Sequence, residues 1–270
     1  YITTRLLYAT SIDGINWSKY GAGASLMEGG GTGSWDVCID TPEIVRDSSG
    51  YKLYYLGDTL PGGSNQLPSS RASIGVATSS DGIHWTKHGG NPILTRGESD
   101  SWECSWIESP AVLWDSAAGI YMMWYSGVDT NGWTIGIGLA TSPDGFTWEK
   151  YPGNPVLSHG PSGSYDDMWV AVPAVIRTDR GYEMWYSGFS SATAYGNITV
   201  NYATSSDGVI WTKFTGNPLL STISPPHNIA IDSAGPWAPD VIFNGDEYMM
   251  WYETVAGFSL ATSTGQIIEF

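Results

Sequence analysis

Two cysteines, four histidines and eleven lysines and arginines are all that 270 residues provide of these types. Two cysteines are too few for a cysteine-based zinc site. The pair, Cys38 and Cys104, reads either as one disulfide or as two small buried hydrophobes. Against the few bases stand 27 acids, giving a net charge of −16. With no basic stripe to neutralise phosphate, nucleic acid and anionic membranes are excluded as partners. No apolar run is long enough for a membrane span, and no signal peptide is visible. The chain begins at Tyr1 without Met, so an upstream segment is expected. There is no Ser-His-Asp order, no phosphate-binding glycine loop and no metalloprotease helix motif. Helical periodicity is absent as well.

What the chain does have is glycine (34), tyrosine (16) and tryptophan (14), the composition of sheets joined by tight turns. It also repeats itself. Ala77-Thr78-Ser79-Ser80-Asp81-Gly82-Ile83-His84-Trp85 returns from Ala9, Ala140 and Ala203, and in shortened form from Ala261, at intervals of roughly 58 to 68 residues. A fixed long period calls for a repeat architecture. Each copy reads as a hairpin corner. The Asp accepts backbone N–H groups across the turn, Gly takes the positive-φ position, and the Trp starts the return strand and packs on the neighbouring unit. Gly-Asn-Pro then closes that strand, because Pro cannot donate to a ladder.

Within each period four strands are expected. In the first complete unit they are an inner strand through Pro42, Tyr51–Gly57, Ile74–Thr78 and Trp85–Lys87. Such units describe the blades of an all-β fold, a β-propeller of four-stranded antiparallel blades. The blade repeats are residues 1–33 (partial), 34–97, 101–160, 164–220 and 230–270, in a single domain. Five corners against four proline-bearing inner strands favour five blades; four blades closed by the two termini are the alternative.

The inner strands line a propeller's channel, so chemistry is sought there. Aligned on Pro42, Pro110, Pro173 and Pro239, they put Asp40, Glu108, Ala171 and Trp237 in one register. Two acids facing a common axis suit glycoside cleavage, one protonating the leaving oxygen and one activating water. Trp106, Trp169 and Trp237 would present aromatic faces to a sugar ring. Asp40 and Glu108 serving only turn amides is the competing reading. Asp36, Glu103, Asp166, Asp167 and Asp232 precede the inner strands and read as turn residues. Strand alternation would aim Glu43 and Asp240 away from the channel. His84 and His88 are expected to be exposed, and His227 lies in a loop from which it could reach a ligand.

These motifs resemble those of five-bladed propeller glycosidases, above all glycoside hydrolase family 43, with invertase-like and mannoside phosphorylase relatives. Ile39-Asp40-Thr41-Pro42 looks like the family's Asp-Pro strand with Thr inserted. Ile107-Glu108-Ser109-Pro110 is similar to its Glu-x-Pro strand, and Trp237-Ala238-Pro239-Asp240 to the Trp-Ala-Pro-Asp strand of arabinanases. The resemblance implies that Asp40 tunes the acid and Glu108 is the acid. The base belongs in the blade before Asp40, whose inner strand is missing here; Asp166 or Asp167 would have to substitute, and Asp167 is taken as the candidate. It further implies an inverting hydrolase of arabinoside or xyloside type, acting on oligosaccharide or polysaccharide. The protein is expected to be secreted or periplasmic and monomeric. No cofactor or metal is expected, with a calcium ion in the channel left open. Two alternatives stand beside it. One is a non-catalytic sugar-binding propeller. The other is a sialidase-like enzyme, against which the lack of arginine in the inner register counts.

Overall fold

The computed structural model describes residues 4–59, 72–129, 135–191, 198–221, 235–254 and 257–263. Asp232 and His227 lie outside them. The chain is all-β; among the described residues the only helix is a single 3-10 turn, Tyr20–Ala22. It divides into two compact units, Tyr1–Gly132 with Ala140–Tyr151, and Trp133–Leu139 with Pro152–Phe270.

The first unit opens with short strands β1 (Arg5–Leu6), β2 (Ala9–Thr10), β3 (Ser18–Lys19) and β4 (Met27–Glu28). A complete antiparallel meander follows: β5 (Cys38–Asp47), β6 (Gly50–Asp58), β7 (Ser73–Ser79) and β8 (Thr86–Lys87). Next come β9 (Trp106–Asp115) and β10 (Ile120–Val128), then the end of β11 (Ile135–Ser142) paired with β12 (Glu149–Lys150). The second unit holds the start of β11 and a second complete meander, β13 (Trp169–Thr178), β14 (Gly181–Phe189), β15 (Ile198–Ser205) and β16 (Thr212–Lys213). β17 (Leu220–Ser221) adds to β15, and β18 (Trp237–Phe243), β19 (Tyr248–Thr254) and β20 (Gly257–Ser263) form a three-stranded sheet. Neither cysteine is in a disulfide, and both are buried.

The corners form as their sequence requires. Asp81 Oδ1 accepts the Ile83 and His84 amides, both at 2.8 Å, while Ser79 Oγ accepts the Gly82 amide at 2.9 Å and Gly82 sits at φ 77°. The same bonds recur at Asp13, Asp144 and Asp207. The tryptophan does not start the return strand. It stands one residue earlier, and Trp85 Nε1 donates to the Gly82 carbonyl at 3.2 Å. Its outer face packs as expected: Trp148 meets Tyr54 edge-on at 5.7 Å. Gly-Asn-Pro does more than end a strand. The Asn91 side chain accepts the Val76 amide and donates to the Val76 carbonyl, both at 2.9 Å, so one side chain extends the sheet where Pro92 cannot. Asn154 and Asn217 repeat this against Leu139 and Tyr202.

Three of the repeats are closed across their width by a buried acid. Lys87 Nζ donates to Asp36 at 2.5 Å, and Tyr55 Oη to the same carboxylate at 3.2 Å. Lys150 and Glu103 pair in the next repeat; Lys213, Tyr186 and Asp166 do so in the third. These acids do not merely serve turns; they reach the last residue of the outer strand. An indole covers the pair in the first two copies. Trp35 stacks on Tyr55 at 5.7 Å and occupies the place that a Cβ on Gly57 would need. Glycine there is a close-approach requirement.

Removing one partner of a buried pair leaves an uncompensated charge. Asp166→Ala is therefore expected to lower unfolding free energy by about 3–5 kcal/mol, read by chemical denaturation, with part of the loss recovered on adding Lys213→Met. The corner carboxylates set an acid limit. The Thr147 amide lowers Asp144 to about 2; burial, the next largest effect, opposes it, and the Phe146 amide and the Ser142 and Thr147 hydroxyls add to the lowering. Backbone amides likewise hold Asp81 and Asp207 below the ordinary range. Carboxylates lowered in the folded state stabilise it above their unfolded value of about 3.9. Stability should be level from neutral pH to about 5, then fall between about 4 and 2; in Asp144→Asn the fall should be shallower.

Candidate active site

One backbone feature positions every candidate residue on the inner strands. Asp40 opposes Leu56 and Glu43 opposes Tyr54, so three steps on β5 match two on β6. The same one-residue bulge separates Glu108 from Ala111, Ala171 from Ala174, and Trp237 from Asp240. In each case the residue before the proline is left-handed: Thr41 (φ 42°), Ser109 (φ 52°), Val172 (φ 50°) and Ala238 (φ 49°). A non-glycine residue there is uncommon, and for a β-branched one it is a genuine outlier. Outliers of this kind gather at functional sites. Asp40, Glu108, Ala171 and Trp237 thus occupy equivalent places, each just ahead of a bulge.

The bulge also corrects one sequence expectation. An extra residue restores parity, so Glu43 lies on the same sheet face as Asp40, and Asp240 on the same face as Trp237. Simple alternation had aimed both away. Crowding by protein raises the Asp240 carboxyl above its ordinary range, opposed by the Val241 amide, although its side chain keeps contact with solvent.

In the first unit β5 and β9 pack against each other, and they carry Asp40 and Glu108. Asp40 is exposed and Glu108 half-buried. Asp40 Oδ1 accepts the Thr41 amide at 2.8 Å, so the acid also caps its own bulge. Trp106 lies two residues before Glu108 on the same face. It is 7 % exposed, and its indole N–H has no partner among the described residues. A buried donor left unpaired calls for an explanation, and a ligand oxygen would supply one.

In the second unit Trp169 stacks on Phe189 at 5.0 Å and meets Trp237 edge-on at 5.1 Å; both tryptophans are half-buried. The Ala238 amide donates to Ser187 Oγ at 3.1 Å, fixing the bulge of β18 to β14. Asp166 is committed to Lys213. Asp167 is half-buried and ties its loop together, accepting the Gly163 amide at 2.7 Å and the Ser191 amide and hydroxyl at 2.7 and 2.6 Å. Burial would raise its carboxyl, but these bonds outweigh burial and hold it low. Among the described histidines, His84 pairs with Asp81 at 2.7 Å and His88 lies against Phe146; both are exposed. Among the described residues no three of His, Cys, Asp and Glu gather as metal ligands.

Known structures share this fold. A solved glycoside hydrolase superposes with a TM-score of 0.73 at 21 % identity, covering 97 % of this chain and 79 % of its own. A thermostable family-43 glycoside hydrolase gives 0.69 at 18 %, covering 99 % and 84 %. The β-1,2-mannobiose phosphorylase of Listeria innocua gives 0.67 at 16 %, covering 96 % and 67 %. The fold is that of the β-propeller glycosidases. No family model matches the sequence. Two uncharacterised Mycobacterium tuberculosis proteins are each 30 % identical over 151 residues, 56 % of this chain and 46 % of theirs. A type blood N-acetyl-alpha-D-galactosamine deacetylase of Flavonifractor plautii is 29 % identical over 132 residues, 44 % of this chain and 16 % of its own. The chain spans less than half the length of these curated relatives.

The strain itself is measurable. A left-handed L-residue costs about 1–2 kcal/mol, against about 0.5–1 for the extra chain entropy of glycine. Val172→Gly is therefore expected to raise unfolding free energy by about 0.5–1 kcal/mol, and a fall of more than that in denaturant titration would show that the bulge is relaxed.

Proposed function

We propose that this protein is a glycoside hydrolase in which Glu108 donates the proton to the leaving oxygen and Asp40 is the carboxylate that supports it. The observation that carries this reading is the shared bulge. It sets an exposed Asp and a half-buried Glu at equivalent positions on two packed strands, beside an indole N–H that has no partner among the described residues. The β-propeller glycosidase fold supports it. Single displacement with inversion needs a water between acid and base, and carboxyls about 6.5–9.5 Å apart. Asp167, kept ionised by its loop, is the carboxylate to test as the base. Arabinosides and xylosides are the proposed substrates, with oligosaccharide or polysaccharide as the natural form.

The Flavonifractor relative's name describes sugar chemistry of another kind, release of acetate from an N-acetylated galactosamine. That observation keeps a deacetylase reading in second place. A panel of aryl glycosides and N-acetylhexosaminides separates the readings. Glu108→Gln should lower turnover of aryl arabinosides or xylosides by about 10²–10⁴-fold, the usual contribution of a general acid, and NMR of the first product should show the inverted anomer. Binding without turnover in the wild type would make this a sugar-binding propeller. Acetate release from N-acetylhexosaminides, with no glycoside cleaved, would move the assignment to the deacetylase.

A further inference from the structure

The opposite end of β5 and β9 holds a second cavity. It has a volume of about 420 Å³ and is lined by Asp47, Ser49, Lys52, Trp114, Tyr121 and Asp144, with Ser48 and Pro143 at the mouth. That is within the size range of small-ligand sites. It is separate from the candidate active site. Asp40 and Asp47 sit near opposite ends of one strand, about 20 Å apart at the usual rise per residue.

A buried polar network forms its floor. Lys52 Nζ bonds Asp47, the Tyr121 hydroxyl at 3.0 Å and Ser49 Oγ at 3.4 Å, and the Tyr121 hydroxyl donates to Asp47. Lys52 has thus placed all three of its donors, and no cation is left over for an anionic ligand. Two carboxylates in the lining repel one. On the wall, Asp144 Oδ2 has only a long 3.3 Å bond from Thr147 Oγ1 among the described residues. It is exposed, as are the hydroxyl-bearing Ser48 and Ser49. These groups accept from, or exchange hydrogen bonds with, neutral hydroxyls.

The remaining wall is Trp114, 40 % exposed, its ring 4.7 Å from that of Tyr121. The repeats show what is unusual about it. On each inner strand the residue paired with the first tyrosine of the next strand lies against that ring; on β18 it is Phe243, 4.6 Å from Tyr248. In two copies an arginine does this, Arg46 over Tyr51 at 5.3 Å and Arg177 over Tyr182 at 5.4 Å. The packing role is met by an arginine, so an indole is not needed for the fold. An open indole beside hydroxyl-binding groups matches a pyranose ring, which is apolar on its C–H face and polar at its edge.

We propose that this cavity is a second carbohydrate-binding site, taking a neutral pyranose unit of an oligosaccharide on the Trp114 face. Its edge hydroxyls donate to Asp144 and bond Ser48. The proposal does not depend on Glu108 being an acid catalyst. The probes are xylohexaose, cellohexaose and mannohexaose, titrated into the full chain by calorimetry. At least one is expected to bind. Trp114→Ala should weaken it by tenfold or more, Trp114→Phe by no more than about threefold, and turnover of small aryl glycosides should be unchanged in both. Ser48→Arg, at an exposed position that leaves the fold intact, should block the same binding. Hexaose binding that depends on Trp114 in a protein without any turnover would support this site while overturning the hydrolase. Absence of hexaose binding in the wild type would overturn the site, as would binding left unmoved by both Trp114→Ala and Ser48→Arg.

Discussion

A proline inside each inner strand, fifth in β5, β9 and β13 and third in β18, is the constraint on which the other features rest. Proline cannot donate to the ladder and disfavours helical geometry in the residue before it. The chain meets this the same way four times, by inserting one residue and turning the pre-proline position left-handed. At about 1–2 kcal/mol each the strain is real, and the paired ladder on both sides of every bulge holds it. In return the bulge breaks the two-residue alternation, so that positions three apart share a face. Asp40 with Glu43, and Trp237 with Asp240, become same-face neighbours only because of it. It also leaves an amide to be satisfied. Asp40 bonds the one at Thr41, and Ser187 the one at Ala238.

The second dependence is electrostatic and explains how an acidic chain folds with few bases. Most structural aspartates here do not need a cation. Asp13, Asp81, Asp144 and Asp207 each take amide donors from the corner they close, and these bonds keep them ionised. Three lysines serve acids that leave water: Lys87, Lys150 and Lys213 reach inward to Asp36, Glu103 and Asp166, each over a tyrosine ring. A buried charge is tolerated only when paired and hydrogen-bonded. The outer strand, two residues long, is therefore held as much by its terminal lysine as by its ladder.

Much of this could be read from residues alone. Turn chemistry is local, so Ser-x-Asp-Gly-x-x-Trp announced its own bonds, and the prolines fixed a common register. What could not be read was anything requiring a count of backbone residues across two strands. The bulge is invisible in composition and reverses the facing of Glu43 and Asp240. The role of Asp36, Glu103 and Asp166 depended on lysines some fifty positions away, at a separation that only the meander closes. The Asn of Gly-Asn-Pro was legible as a turn residue, but its pairing with a strand fifteen residues back was not.

In a repeat, what the fold requires is stated several times, and departures from it stand out. The corner aspartates, the blade-closing acids and the pre-proline bulges recur, so folding is sufficient reason for them. The register position before the bulge does not recur: it is Asp, Glu, Ala and Trp in turn. A position that accepts an alanine at Ala171 without loss of the bulge imposes no demand for a carboxylate, so folding does not explain Glu108, while Asp40 has a structural use as well, accepting the Thr41 amide at 2.8 Å. The same logic applies at the far end of the strands, where arginine suffices twice, at Arg46 and Arg177, and an aromatic stands open twice, at Trp114 and Phe243. Glu108 and Trp114 lie toward opposite ends of one strand, β9, so the two proposed sites share it.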